Sequence, residues 1–363
     1  MIDKTSHVPF YQQVKKSIEG RVKSGKLKPG DSIESEKTLC KIYNVSQITI
    51  RKAISDLVNM GILYRVPGKG TFLASLSEKS KSPFLLKTNN IGFVISREHH
   101  PAFSNPFYSF VFRGVESEAR AHGYNLFYQL LDHNIIADIS NFKLASENKV
   151  DGLLLVGEIP HNFIMDIKDK GIPLVLVDHY INDVGLDSVV TENEKGAYQV
   201  VKYLIDLGHR KIGFWGASLD HGTFMERFKG YKKALSDYDI KFSEDLVETV
   251  LLIENDIIVD KMFKSDNMPT AVFACNDLVA IKVMSALQDQ GLKVPGDISI
   301  AGFDDIELSS QIRPPLTTVR VQREQMGVLA VKKLIKNIEK ENNKSEKTVL
   351  TTELMVRQSC KAI

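Results

Sequence analysis

The stretch Ser46–Met60, with the sequence SQITIRKAISDLVNM, decides the fold of the N-terminal part of this chain. Ser46 can cap a helix, because its hydroxyl accepts a hydrogen bond from a free backbone N–H of the first turn. The apolar residues then recur at the spacing of one buried helical face; they are Ile50, Ala53, Ile54, Leu57 and Val58. The opposite face is polar and basic; it carries Gln47, Thr49, Arg51, Lys52 and Ser55. A short, capped helix of this kind fits the major groove of DNA, although an ordinary amphipathic surface helix has the same pattern.

The flanking segments favour the DNA-binding interpretation. Upstream, residues 10–24 predict one helix, and Ser35 can cap a second helix that runs to about Tyr43. Downstream of Gly61, apolar runs at 62–66 and 71–73 predict two strands joined by a Pro-Gly-Lys-Gly turn. A helix, a helix-turn-helix and a hairpin with a lysine at its tip together predict a winged helix-turn-helix.

Residues from about 8 to 74 resemble the GntR family of bacterial transcription regulators. The matching blocks are Lys28-Pro29-Gly30-Asp31, Glu34-Ser35-Glu36, Val45-Ser46, Thr49–Ile54 and Gly68–Phe72. The resemblance implies that the third helix enters the major groove and that the wing approaches the minor groove or the backbone. It implies DNA contacts at these positions: Ser35, Glu36, Ser46, Gln47, Ile48, Thr49, Arg51, Lys52, Gly68, Lys69 and Gly70. Gln47 stands where the family usually has arginine, and because glutamine pairs with adenine rather than guanine, it predicts a different operator base there.

The charge distribution agrees with a DNA-binding head. Residues 1–80 hold 14 lysines and arginines against 7 aspartates and glutamates, a net charge of +7. Residues 81–363 hold 33 against 38, a net charge of −5. Phosphate contacts dominate non-specific affinity for DNA, so a basic head on an acidic body has the expected electrostatics.

Length and composition exclude several classes of protein. A chain of 363 residues with 43% hydrophobic residues is long enough for two or three domains with large cores. Cys40, Cys275 and Cys360 are too few and too far apart for a disulfide framework or a zinc site. No phosphate-cradling glycine motif follows a predicted strand, so no nucleotide cofactor is expected. The chain has no signal-type N-terminus and no apolar run of membrane length, which predicts a cytoplasmic protein without membrane contact.

From residue 90 onward, apolar strands alternate with helices. Strands are predicted at Ile91–Ile95, Asn125–Leu131, Gly152–Val156, Pro173–Asp178, Lys211–Trp215, Ala271–Cys275 and Ile298–Phe303. Continuous apolar strands separated by helices predict parallel sheets covered on both faces. The strands fall into two sets, which suggests two lobes with a ligand bound at the carboxyl ends of the strands. The predicted organisation is therefore a head at 1–74, a polar linker at 75–89 and a two-lobed α/β domain at 90–363.

Residues 90–363 resemble the LacI/GalR effector-binding domain, which is itself similar to periplasmic sugar-binding proteins. The resemblance rests on six ordered blocks: Leu207–Ile212, Arg227–Tyr231, Ala274–Asp277, Val294–Ser299, Gly302–Asp305 and Arg313–Val319. By family position it implies Arg227 and Asp304 as the main ligand clamps, with Asn276, Asp178 and the loop from Asn105 to Tyr108 around them. A guanidinium donor and a carboxylate acceptor suit sugar hydroxyls, and the rings of Phe107 or Tyr108 can cover apolar sugar faces.

Several of these ligand candidates, and some residues near them in the sequence, also have a purely structural interpretation. Arg227 alone would be taken for a helix-surface arginine, and Asp305 for a cap of the following turn. Phe107 fits a core position more readily than a ligand platform, and Trp215 fits a place between sheet and helix. Asp277 and Asp297 are interpreted as residues that serve turns and caps.

Together, the two resemblances predict a sugar-responsive transcription repressor that binds operator DNA as a homodimer. The expected effector is L-arabinose or another monosaccharide. A ligand-dependent activator and, less readily, a sugar-binding protein of transport type are the alternatives. A fusion to a pyridoxal-phosphate enzyme would need a cofactor lysine in a larger second domain, which this sequence does not resemble, so no enzyme and no cofactor are predicted.

Overall fold

The computed structural model describes residues 8–59, 62–66, 68–74, 87–96, 106–217, 222–250, 268–339 and 344–363. The chain divides into two compact units, residues 1–88 and 89–363. The predicted linker at 75–89 lies mostly outside the described residues, and so do Gly61, Pro67 and Asn105.

The smaller unit contains three helices, α1 (Phe10–Lys23), α2 (Glu36–Tyr43) and α3 (Gln47–Asn59). Ser35 Oγ accepts a hydrogen bond from Thr38 N at 3.2 Å, and Ser46 Oγ accepts one from Thr49 N at 3.3 Å. Both serines therefore cap the helices that follow them, as their positions predict. The turn between α2 and α3 passes through Asn44, whose φ of 53° is a left-handed value that asparagine tolerates.

A two-stranded hairpin completes this unit. It consists of β1 (Leu63–Val66) and β2 (Gly70–Leu73), which pair antiparallel. Gly68 and Gly70 both have positive φ, which a side chain would strain. The apolar face of α3 is buried against α1 and the hairpin, and the core of the unit includes Val14, Ile18, Leu39, Ile50, Ala53, Ile54, Leu57, Leu63 and Leu73.

The larger unit contains two lobes, and the N-lobe is built on a six-stranded sheet. Its order is β13-β7-β6-β5-β3-β4, and all neighbouring strands are parallel. The strands are β3 (Asn90–Ser96), β4 (Asn125–Leu131), β5 (Gly152–Val156), β6 (Leu174–Val177), β7 (Asp187–Thr191) and β13 (Lys347–Leu350). The helices are α4 (Pro106–Ala121), α5 (His133–Ala137), α6 (Lys143–Ser146), α7 (His161–Asp169) and α12 (Arg323–Ile338).

The C-lobe is built on a second parallel sheet, in the order β11-β10-β8-β9. These strands are β8 (Ile212–Ala217), β9 (Val247–Val250), β10 (Ala271–Ala274) and β11 (Ser299–Ala301). The helices are α8 (Asn193–Asp206), α9 (Gly222–Asp237), α10 (Asp277–Asp289) and α11 (Glu307–Gln311). A further antiparallel pair joins β12 (Thr318–Arg320) to β14 (Glu353–Met355).

The chain crosses between the lobes at three places. They lie between β7 and α8, between β12 and α12, and between β13 and β14. The predicted two-lobed arrangement of parallel sheets is therefore observed, with three short crossings between the lobes.

The helices α4 and α12 of the N-lobe approach each other through glycines. A Cβ on Gly327 would lie 2.7 Å from Val115 N and even closer to the Val111 carbonyl oxygen. A Cβ on Gly114 would in turn collide with the backbone of Glu324. Because backbone atoms cannot move aside as a flexible side chain can, only glycine fits at these two positions.

Candidate DNA-binding face and effector cleft

The polar face of α3 is exposed in the head. Gln47, Arg51 and Lys52 are exposed, and Thr49 is half-buried. Ile48 is 80% exposed although it is apolar, which is costly for a surface that contacts only water. An exposed isoleucine beside amide and guanidinium donors suits the thymine methyl and the base edges of a major groove.

Glu36 links this face together. Its Oε2 accepts hydrogen bonds from Arg51 Nε at 2.8 Å and from Gln47 Nε2 at 3.4 Å. Its Oε1 accepts one from Arg65 Nη2 at 3.3 Å. The hydrogen bond from Arg51 holds the pKa of the Glu36 carboxyl below its usual range. One carboxylate on α2 thus orients two of the predicted base-reading side chains on α3.

The wing places its lysine at an exposed tip. Lys69 is exposed, and its N–H donates to the Val66 carbonyl at 3.0 Å, which closes the turn. Tyr64 and Phe72 stack at a centroid distance of 5.6 Å and stiffen the hairpin behind it.

Lys52 differs from Arg51 in that its ammonium lies 4.1 Å from the centroid of the Tyr11 ring on α1. The structure thus places the Lys52 ammonium over an aromatic ring of α1.

In the larger unit, we call the space where the carboxyl ends of the strands of the two lobes meet the cleft. Arg227 lies at its centre. It lies on α9 and is only 3% exposed. Its Nη1 donates to the Cys275 carbonyl at 2.6 Å and lies 3.2 Å from Asp304 Oδ1. The guanidinium also lies 3.8 Å from the centroid of the Phe303 ring, in a cation–π contact. Arg227 is thus buried and anchored, and is not the surface residue that its sequence alone suggests.

Asp178 and Tyr108 approach the same region from the N-lobe. Asp178 follows β6, and its Oδ2 accepts a hydrogen bond from the Tyr108 hydroxyl at 3.2 Å. Burial raises the pKa of the Asp178 carboxyl to about 7, although Arg227 acts to lower it. Asp178 and Asp304 both have positive φ. Such backbone strain in residues other than glycine is concentrated at functional sites.

Three cleft residues, Asn193, Glu226 and Tyr180, were not predicted from the sequence. Asn193, the first residue of α8, is 1% exposed, and its Oδ1 accepts a hydrogen bond from Arg227 Nε at 2.9 Å. Its Nδ2 donates to Glu226 Oε2 at 3.1 Å, and Glu226 Oε1 accepts from the Tyr180 hydroxyl at 2.9 Å. Tyr180 belongs to the N-lobe and Glu226 to the C-lobe, so this chain of bonds connects the arginine to the opposite lobe. The sequence does contain one local signal for Asn193, namely the polar pair Glu192-Asn193 where α8 begins.

Other predicted residues have structural roles. Asn276 caps α10, since its Oδ1 accepts from Val279 N at 2.8 Å. Phe107 is buried in the core and packs edge-on against Tyr108, which favours the core interpretation. Trp215 is fully buried, as expected for a position between sheet and helix.

The expectation that Asp305 caps the following turn is wrong, whereas Asp277 does serve the turn before α11. Asp305 pairs instead with Arg320 and Arg357. Asp277 is fully buried and accepts hydrogen bonds from Ile306 N, Ser309 and Thr318. Asp297 does serve a turn, because its Oδ2 accepts from Lys293 N at 2.7 Å.

The described residues show no helix with both the length and the apolar character needed to span a membrane. Within the same part of the chain, no three His, Cys, Asp or Glu side chains are grouped so as to hold a metal ion.

Two family models match the two units. Residues 10–73 match the bacterial regulatory proteins of the gntR family, and residues 201–360 match a periplasmic binding protein-like domain. A ribose operon repressor from Haemophilus influenzae is 33% identical, over 78% of this chain and 84% of its own length. The chain belongs to the LacI/GalR-type transcription repressors and carries a GntR-type head. It is a transcription regulator and not an enzyme.

Two further proteins are similar to this repressor. An arabinose metabolism transcriptional repressor from Geobacillus stearothermophilus is 28% identical, over 99% of this chain and 100% of its own length. The crystal structure of a LacI transcriptional regulator from Bacillus cereus subsp. cytotoxis has a TM-score of 0.69 and 28% identity. That match covers 76% of this chain and 99% of the solved chain. The Geobacillus match therefore includes the head, whereas the structural match leaves about a quarter of the repressor uncovered.

Proposed function

We propose that this repressor binds a palindromic operator through its head and releases it when a monosaccharide binds in the cleft. The observation that carries the proposal is the buried cluster of Arg227, Asp304 and Asp178 between the two lobes of a chain with a basic winged head. Paired carboxylate and guanidinium groups at hydrogen-bonding positions suit ligands with many hydroxyls. L-arabinose is the first candidate, supported by the Geobacillus relative's name, and ribose and other monosaccharides come next.

The proposed DNA contacts follow from the exposed face of the head. Gln47, Ile48 and Arg51 would reach base edges from α3, with Ser46 and Thr49 at the start of that helix. Lys69, between Gly68 and Gly70, would contact a phosphate or the minor groove from the wing. One recognition helix covers only a half-site, so a symmetric operator requires a homodimer. The strand β4, an edge of the N-lobe sheet with Phe127 41% exposed, is a surface on which such a dimer could form. Because its target is the chromosome, the repressor would act in the cytoplasm.

Arg51→Ala is expected to lower operator affinity by about 1–3 kcal/mol and to leave sugar binding unchanged. The substitution removes a donor from the exposed face of α3, where Glu36 now holds it. Gel-shift titration of the full chain on an operator selected from a random pool measures this loss. Lys26→Ala is the control, because it removes the same charge from the turn after α1, which belongs neither to α3 nor to the wing hairpin. Equal operator affinity for Arg51→Ala and the wild type would contradict the assignment of this face.

Effector control would depend on the position of the lobes. Ligand bound between the lobes stabilises a closed form, and closure would move the two heads of the dimer out of operator register. The free energy that couples sugar binding to operator release equals the difference in the free energy of ligand binding between the two forms. The hydrogen bond between Tyr180 and Glu226, which we call the latch, joins the lobes and continues through Asn193 to Arg227. A ligand that contacts Arg227 would therefore also influence the latch.

Tyr180→Phe is expected to raise the sugar concentration needed for half-release of operator by about 2- to 10-fold, since it removes one net hydrogen bond between the lobes that the proposed closed form would retain. Operator affinity without sugar should stay at the wild-type value. A titration of the repressor–operator complex with sugar measures both quantities. Tyr238→Phe, the same change on a more exposed tyrosine outside the cleft, should have no effect. An unchanged half-release concentration in Tyr180→Phe would show that the latch does not contribute to closure.

Gel-shift assays with and without a panel of sugars test the function as a whole. Release by one monosaccharide supports repression relieved by an effector. Tighter operator binding in the presence of sugar would favour a ligand-dependent activator, and sugar binding with no DNA binding would favour a transport-type protein.

A further inference from the structure

Two carboxylates in the cleft each have an oxygen without a hydrogen-bond donor. Asp178 Oδ1 and Asp304 Oδ1 are buried, and no described residue donates a hydrogen bond to either. Asp304 Oδ1 does lie 3.2 Å from Arg227 Nη1, as an ion pair whose geometry is not that of a hydrogen bond. Buried polar atoms in folded proteins are normally satisfied, and an ionised carboxylate can only accept. The group that fills the cleft must therefore bring hydrogen-bond donors.

The charges that act on Asp178 are mainly negative, whereas Asp304 has two neighbouring cations, Arg227 and Arg323. Asp304 and Glu226 both act on Asp178 as neighbouring negative charges, and Arg227 is the cation that opposes them there. Arg323, the next cation, is already engaged: its Nη2 donates to the Asp305 carbonyl at 2.8 Å and its Nη1 to the Pro106 carbonyl at 3.4 Å. Beside Asp178, in a buried site of low dielectric constant, a ligand carboxylate or phosphate would meet like-charge repulsion. A neutral hydroxyl would meet none and would supply the missing donors.

Asp178 is the carboxylate best placed to favour neutral ligands over anionic ones. Its Oδ2 is held by Tyr108 of α4, so the side chain cannot easily turn away from the cleft. Its φ of 58° is a backbone conformation that asparagine also adopts. Asp178→Asn therefore removes the charge and preserves the volume, the acceptor oxygen for Tyr108 and the backbone.

We propose that the cleft accepts uncharged polyhydroxy ligands and excludes sugar acids and sugar phosphates, and that Asp178 sets this charge selectivity. The proposal rests on the proposed function as a sugar-responsive repressor and narrows its class of effector.

The test is calorimetric titration of the full chain at pH 8, where Asp178 is ionised. The probes are matched pairs, namely L-arabinose with L-arabinonate, D-ribose with D-ribose 5-phosphate, and D-galactose with D-galacturonate. For the sugar that binds, the neutral member is expected to bind at least about 30-fold more tightly than its anionic partner. Asp178→Asn is expected to reduce this ratio by about tenfold. Glu226→Gln, which removes a second negative charge, should reduce it less.

Asp169→Asn is the control, since it removes an exposed charge of the same lobe and should leave the ratio unchanged. Thermal unfolding and operator binding show that each variant is folded. An anionic partner that binds as tightly as the neutral sugar, or an unchanged ratio in Asp178→Asn and Glu226→Gln, overturns the charge selectivity while leaving the sugar response in place. Failure of every pair to bind, neutral members included, instead contradicts the proposed function itself.

Discussion

Replacing Arg227 with lysine is expected to lower the affinity for the effector by about 10- to 100-fold, and operator binding without effector should not change. Lysine keeps a positive charge opposite Asp304, so the buried carboxylate is not left without a cation. It cannot, however, reproduce the planar guanidinium that donates to Asn193 and Cys275 at once. The ligand would therefore lose an oriented, charged donor while the fold is retained.

Calorimetric titration with sugar and an operator-release assay measure the two quantities separately. Lys229→Ala is the matched control, because Lys229 is an exposed cation on the same helix, α9. Arg227→Ala is a less informative variant, since it leaves Asp304 buried without a partner and should also destabilise the domain. Wild-type effector affinity in Arg227→Lys would show that Arg227 only supports the fold and that the sugar binds elsewhere.

Gly327→Ala is expected to destabilise the larger unit by about 3 kcal/mol or more, because the added Cβ collides with backbone atoms of α4. Neither helix can relieve the collision by rotating a side chain, so α4 and α12 must move apart. Both helices pack on the N-lobe core, and their separation would lose apolar contacts as well.

Chemical denaturation followed by tryptophan fluorescence measures this effect on the larger unit alone. Trp215 is the single tryptophan of the chain and is fully buried in that unit. Gly222→Ala is the control, since nothing lies within 4 Å of a Cβ at this first residue of α9. Its free energy of unfolding should stay within about 0.5 kcal/mol of the wild-type value. A similarly small change for Gly327→Ala would mean that the helices do not cross as closely as the structure shows.

The sequence was sufficient for elements whose signals are local. The caps Ser35 and Ser46, the apolar stripe of α3 and the glycines of the wing lie within a few residues of the structures that they determine. Strands β4 and β5 have the predicted bounds, because their apolar runs end in clear turn signals. Five strands were not predicted from the sequence: β7, β9, β12, β13 and β14. Each has five or fewer residues, and β13 alternates exposed and half-buried positions, so no continuous apolar run identifies it.

The residues of the candidate cleft came partly from the sequence and partly from the structure. The resemblance to a known family indicated Arg227, Asp304 and Asp178, which the structure brings together. Neither periodicity nor composition could have found Arg227, because it lies within α9 between Glu226 and Phe228, where no apolar stripe marks it as buried. Asn193 and Glu226 were not predicted at all. Their role arises from hydrogen bonds to residues 33 to 46 positions away in the chain, which no local pattern records.

Sequence alone was enough for the helices and hairpin of the head, for most strands of the two main sheets, for the division into a basic head and an acidic body, and for the chemistry of the face that α3 presents. These depend on helix and strand periodicity, on capping and on net charge, all of which are properties of neighbouring residues. Three findings needed the tertiary structure: Glu36 orients Arg51, a latch joins the lobes, and two cleft carboxylates have oxygens that receive no hydrogen bond from any described residue. The physical reason is that burial and hydrogen-bond satisfaction depend on residues brought together from distant parts of the chain.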